Sequence, residues 1–86
     1  MPVVKLSGQL QSLTGGEREH EVSGSTVRDA LIDLEGRHPA IRGWILDERR
    51  AIRRHISVFV NTVVAGADTP LEPDARVHVL PSITGG

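Results

Sequence analysis

A single long amphipathic helix is written into this chain, and it restricts the possible folds more than any other feature. Val27, Ala30, Leu31 and Leu34 fall at i, i+3, i+4 and i+7. They form one apolar stripe, with Arg28, Asp33 and Glu35 off it. Ser25 or Thr26 can cap the start, and Asp29 stands where an acid meets the free N–H groups of the first turn. Gly36 and Pro39 bracket the end. A further helical turn is expected within residues 40–46, with Ile41, Ile45 and Trp44 as its inward side chains. The chain has 86 residues, room for one modest core. One helix with one stripe can cover one face of one sheet.

The rest of the chain supplies strands for that sheet. Val3-Val4-Lys5-Leu6 is β-branched and short. The glycine pair Gly15-Gly16 signals a turn, and the alternating, charged Glu17–Val22 returns as an edge strand, giving an N-terminal hairpin. Ile56, Val58 and Val60 alternate with Ser57, Phe59 and Asn61, a half-buried strand. Asn61-Thr62 turns into a short Val63-Val64 strand. Val77 and Val79 alternate with Arg76 and His78 in a last strand that Pro81 ends, because proline has no N–H for a ladder. Residues 47–55, rich in arginine, and residues 65–75, with Gly66, Pro70 and Pro73, are read as connections. The expected class is α+β in the order ββαβββ, a mixed four- to five-stranded sheet with one main helix on one face.

Composition narrows the function. The formal net charge of −1 gives no reason to expect a nucleic acid partner. There is no cysteine, hence no disulfide and no cysteine nucleophile. No apolar run approaches the roughly 20 residues that span a bilayer, and the start lacks the pattern of a secretion signal. A cytoplasmic protein without a membrane partner is the expectation.

The last residues do not fit a purely structural reading. We expect a domain over residues 1–81 and a flexible tail over 82–86. From Leu80 onward an extended tail reaches about 20 Å, enough to carry a carboxylate into a partner's pocket. Gly85 and Gly86 lack β-carbons, so a partner's backbone and a nucleotide phosphate can come close. Chain ends are often glycine-rich and frayed, so the pair alone is weak evidence. Its place after a strand ended by proline adds weight.

Four stretches together resemble the MoaD/ThiS family of sulfur carrier proteins, which have the ubiquitin-like β-grasp fold. They are Leu13-Thr14-Gly15-Gly16, Ser25-Thr26-Val27, Val58-Phe59-Val60-Asn61, and Asp68-Thr69-Pro70-Leu71 followed by residues 77–86. The resemblance implies that Gly86 carries the reacting carboxylate, that Gly85, Thr84, Ile83 and Ser82 give access to it, and that this chain holds no catalytic residue. It implies as partners an E1-like adenylyltransferase/sulfurtransferase, which uses ATP and Mg, and a biosynthetic enzyme that accepts sulfur from the resulting thiocarboxylate. No cofactor is then expected on this chain. The segment 39–55 is longer than in the thiamine carriers, and Leu46 to Asn61 is similar to the CysO-like carriers of cysteine biosynthesis. Cysteine is favoured as the destination and molybdopterin comes next. A protein modifier forming isopeptide bonds, or an interaction module without tail chemistry, stays open. Many relatives have Asn-Gly where this chain has Asn61-Thr62. Thr62 is uncomfortable in a type I′ turn, so a wider turn is expected.

The remaining candidates are weaker. His20, His38, His55 and His78 are scattered along the sequence and suggest no metal site. Arg49, Arg50, Arg53 and Arg54 form either a solvated loop or a patch that steers an acidic partner. If Ile56, Val58 and Val60 face the helix, then Phe59 lies on the open face of the sheet. His78 and Val3 join it there as a candidate partner surface. Otherwise Phe59 packs under residues 65–75, or the facing is inverted.

Overall fold

The five strands of the computed structural model, which describes residues 1–81, form one sheet in the spatial order β2-β1-β5-β3-β4. In chain order the elements are β1 (Val3–Leu6), α1 (Gln9–Ser12), β2 (Glu19–Glu21), α2 (Val27–Arg37), a 3₁₀ turn (Pro39–Ile41), β3 (Ile56–Val60), β4 (Val63–Val64) and β5 (Arg76–Pro81). Strands β1 and β5 pair in parallel, and every other pair is antiparallel. This is the ubiquitin-like β-grasp architecture expected for one helix on one mixed sheet. The last strand in sequence is the central strand in space.

The apolar stripe of α2 does what its spacing requires. Val27, Ala30, Leu31 and Leu34 are fully buried, against Val4 and Leu6 of β1, Val58 of β3, and Val77 and Val79 of β5. Thr26 caps the helix, its hydroxyl accepting from the Asp29 N–H at 3.2 Å. The β4–β5 connection satisfies two more free N–H groups. Val27 and Arg28 donate to the carbonyls of Thr69 and Ala67. Gly36 lies inside the helix, one residue before its end, and His38 closes it by donating to Leu34. Gly24 fixes how closely the entry to α2 can pack: a β-carbon there would lie 2.5 Å from the Ala30 backbone nitrogen.

Several expectations are corrected. A short helix, α1, separates β1 from β2, and its Leu10 enters the core, so the N-terminal pair is not a plain hairpin. Residues 40–46 give only the end of a 3₁₀ turn. Ile41, Ile45 and Leu46 are buried as expected of an inward side, but Trp44 turns outward and is 39% exposed. Residues 46–52 are more ordered than a simple connection, because Leu46 and Ile52 form an antiparallel bridge. The turn at Asn61-Thr62 is not widened. Both residues have positive φ, 49° and 76°, and Val60 pairs with Val63 directly across them. A type I′ turn is kept at the expense of a β-branched residue in a region that such residues avoid. The Asn61 side chain steadies it by accepting from the Arg76 N–H at 3.0 Å. Pro81 is the last residue of β5 rather than the first beyond it, because its register partner is Ile56 at the start of β3.

Candidate functional site

Residues 82–86 continue from Pro81, so β5 determines where any tail chemistry begins. Val79 pairs with Leu6 on one side and Val58 on the other, and Leu80 pairs with Ser57. The Ser7 N–H donates to the Val79 carbonyl at 3.3 Å. Gly8, at φ 62°, leaves space beneath the Pro81 ring, whose Cγ would lie 3.4 Å from a β-carbon at that position. The central strand therefore holds the departure point from both sides. The predicted carboxylate of Gly86 and the access residues Gly85, Thr84, Ile83 and Ser82 lie outside the described residues.

Period two and the strand register then define the open face of the sheet. Ile56 and Val58 face α2 and are buried, which places Phe59 on the opposite side, half-buried. Phe59 is the direct cross-strand partner of His78 and of Val64, and His78 is the partner of Lys5, itself opposite Glu19. One row thus runs Glu19, Lys5, His78, Phe59, Val64 across all five strands. Val3 lies in the next row, opposite Glu21 and Arg76. Leu80 and Ser57 make a third row toward the tail. Phe59, His78 and Val3 share a face.

That face grades from charged to apolar. At the β2 edge, half-buried Lys5 and exposed Glu19 form an ion pair at 3.7 Å. At the β4 edge, Val64 is 75% exposed beside Phe59. Val64 and Leu80 were not singled out from sequence. A two-residue turn at Asn61-Thr62 would have put Val64 opposite Phe59 by counting; the wider turn expected there hid it.

The face opposite the sheet offers a different feature. A hollow of about 480 Å³ lies between α2 and residues 42–50, lined by Ile32, Glu35, Arg42, Asp47, Glu48 and Arg50 among others. Burial pushes the Glu35 carboxyl above its ordinary value, against the pull of nearby backbone N–H groups and of Arg42 and Arg50. Its Oε2 is buried without a hydrogen-bond partner. Asp47 is held below its ordinary value chiefly by the Ala51 N–H, and Arg49 N–H also donates to it. Asp47 thereby builds the loop. Charges of both signs line the hollow without any nucleophile–base pairing.

The histidines are less scattered in space than in sequence. The rings of His20 and His38 meet edge to face with centroids 4.5 Å apart, and His20 also contacts the Glu17 carbonyl. Among the described residues no three His, Cys, Asp or Glu side chains converge on a common point. No helix among them is long and apolar enough to cross a membrane.

Comparison with known proteins places these features in a lineage. The ThiS family model matches residues 4–86. A chain in the crystal structure of the Amycolatopsis orientalis BexX/CysO complex is 29% identical, with full coverage of both chains and a TM-score of 0.88. SAMP1 from Haloferax volcanii is 28% identical over 99% of this chain and 98% of its own, with a TM-score of 0.83. Mycobacterium tuberculosis CysO, 24% identical over 96% of this chain and all of its own, shares the fold at a TM-score of 0.86. No curated protein sequence matches.

Proposed function

Because the chain belongs to the ThiS family and is a ubiquitin-like carrier or modifier rather than an enzyme, we propose that it is a sulfur carrier whose reacting group is the carboxylate of Gly86. The observation that carries this reading is the placement of β5. The strand leading to the diglycine is the central one, clamped between β1 and β3, so a rigid body presents residues 82–86 to a partner.

The chemistry starts from a poor electrophile. In the pocket of an E1-like enzyme, a carboxylate oxygen of Gly86 attacks the α-phosphorus of ATP, and pyrophosphate leaves. The product is an acyl adenylate. A hydrosulfide-level sulfur nucleophile then attacks the carbonyl carbon, and AMP leaves with the electrons of the broken C–O bond. This gives the thiocarboxylate and releases one proton. No redox change occurs in either step. The partner supplies ATP, Mg and the catalytic groups; this chain supplies the carboxylate, a slim glycine path and a docking face centred on Phe59 and His78. A downstream biosynthetic enzyme accepts the sulfur, and cysteine synthesis is the favoured destination, with molybdopterin next. CysO in complex with BexX, at 29% identity, supports a carrier that works docked to a partner.

The modifier reading keeps one specific support, the 28% identity to SAMP1 from Haloferax volcanii and the 27% identity to the small archaeal modifier protein 1 from Methanosarcina acetivorans. It shares the adenylation step and differs in the nucleophile, a lysine amine in place of sulfur.

Intact-mass measurement of the chain isolated from its own cells tests the proposal. Sulfur in place of one terminal oxygen is expected, about 16 Da heavier, and is lost when Gly86 is deleted. Failure to see it after incubation with ATP, a sulfur source and each E1-like enzyme of the host would refute the carrier reading. Isopeptide adducts on host lysines without any thiocarboxylate would favour the modifier.

A further inference from the structure

Half of the ten Lys and Arg residues of this chain fall within residues 42–54: Arg42, Arg49, Arg50, Arg53 and Arg54. The chain as a whole is slightly acidic, so this is a local concentration against the general trend. Of the five cations elsewhere, three are partnered: Lys5 with Glu19, Arg28 with Asp68 and Arg37 with Asp33, while Arg18 and Arg76 form no ion pair among the described residues. Among the described residues, none of the five arginines forms an ion pair. Arg42, Arg49, Arg50 and Arg54 are exposed, with the outward-turned Trp44 among them.

The segment is built rather than loose. The Leu46–Ile52 bridge closes a small hairpin, the Asp47 N–H donates to the Ala51 carbonyl at 2.9 Å, and the Arg53 N–H donates to the Ile45 carbonyl. The Asp47 carboxylate accepts from the N–H groups of both Arg49 and Ala51, and Arg28 donates through Nε to the Arg50 carbonyl at 3.1 Å. Arg50 itself sits at φ 62°, a conformation that glycine would take without strain. The hairpin's own hydrogen bonds at that tip use the Arg50 backbone and not its side chain, which lines the hollow with Glu35.

Its position is the decisive point. The hairpin runs directly into Ile56, and Ile56 is the register partner of Pro81, from which the tail continues. Five further residues extend at most about 17 Å. An enzyme that holds Gly86 in its pocket must therefore bring its surface within that distance of Pro81, and Arg54 and His55 stand on the Ile56 flank of it. We infer that the arginine hairpin of residues 46–54, with Arg42, docks against an acidic surface of the enzyme that activates the tail. This rests on the carrier reading. It adds an electrostatic contact separate from the open face of the sheet. The patch is short and interrupted by Asp47 and Glu48, which suits a matching protein surface better than the continuous phosphates of a nucleic acid.

Steady-state ATP–pyrophosphate exchange with the host's E1-like enzyme, over a range of salt concentrations, tests this. Charge reversal at Arg49, Arg50 and Arg54 is expected to raise KM for the carrier about tenfold, leave kcat unchanged and abolish the salt dependence of KM. Arg50→Gly separates docking from folding: it should leave thermal stability equal or higher while raising KM. If wild-type exchange proceeds and neither the variants nor salt move KM, the docking inference falls and the carrier reading stands. If no exchange occurs with wild type, the carrier reading is what fails. An independent arm follows backbone amides by NMR as the full chain is titrated with a glutamate-rich decapeptide or with oligouridylate. Shifts over residues 42–55 with the peptide, lost on charge reversal, support the inference. Absent shifts, tighter binding of the oligonucleotide, or arginine-dependent self-association in the ultracentrifuge would overturn it.

Discussion

The two faces of the sheet are made from the same strands, yet they are chemically unlike. Toward α2, Val4, Leu6, Val58, Val77 and Val79 are sealed from solvent and purely aliphatic. On the other side Lys5, Phe59, His78 and Leu80 are half-buried and mixed in character. Burial of an aliphatic side chain contributes roughly 1.5–3 kcal/mol, so the covered face holds the fold together. The open face contributes less to stability because water still reaches it, and that is what suits it to the docking role proposed above. The difference teaches that burial, and with it the contribution to stability, can be assigned to one side of a strand, residue by residue.

Substitutions can break that division or sharpen it. The largest effect is expected from Gly24→Ala, because its methyl group would overlap the backbone of Ala30 and push α2 away from the covered face. A loss of at least about 3 kcal/mol is expected in urea denaturation. Leu31→Ala, inside the same core, should cost about 3 kcal/mol. Phe59→Ala on the open face should cost about 1 kcal/mol or less, yet raise KM in the exchange assay. Comparable stability losses for Leu31→Ala and Phe59→Ala would contradict the division.

Smaller effects probe the margins. Thr62→Gly should stabilise the protein by about 1 kcal/mol, because glycine accepts the positive φ that threonine is forced into. An unchanged or lowered melting temperature would show that Thr62 is not strained. The smallest effect concerns Asp33, beside the entry to α2. It accepts from the Ser23 N–H at 2.9 Å and from Arg37 at 2.8 Å, and the first of these chiefly holds its carboxyl below the ordinary aspartate value. A group lowered in the fold adds stability above its unfolded value and loses it as pH falls through the folded one. Wild type should therefore weaken in acid more steeply than Asp33→Asn, by under about 1 kcal/mol given the exposure of the site. Parallel pH profiles for the two proteins would discount the interaction.

Much of the fold was legible because the relevant patterns are local. The stripe Val27, Ala30, Leu31, Leu34, the Thr26 cap and the alternation of β3 and β5 each lie within a short window. What misled was non-local. Trp44 looked inward by its neighbours, but Ile41, Ile45 and Leu46 fill the space available. Thr62 looked too awkward for a tight turn, but register on both sides of it imposes one. The encounter of His20 with His38 joins β2 to the end of α2, which no sequence spacing announces.

By itself the sequence determined the long helix α2 and the alternating strands, because helical period and strand period are properties of adjacent residues. Tertiary structure alone decided that β5 is central, that Phe59, His78 and Val64 share one row, and that Ile56, which follows the arginine hairpin, is the register partner of Pro81. Those facts depend on which strands pair and in what register, and pairing is settled by packing between residues far apart in the chain.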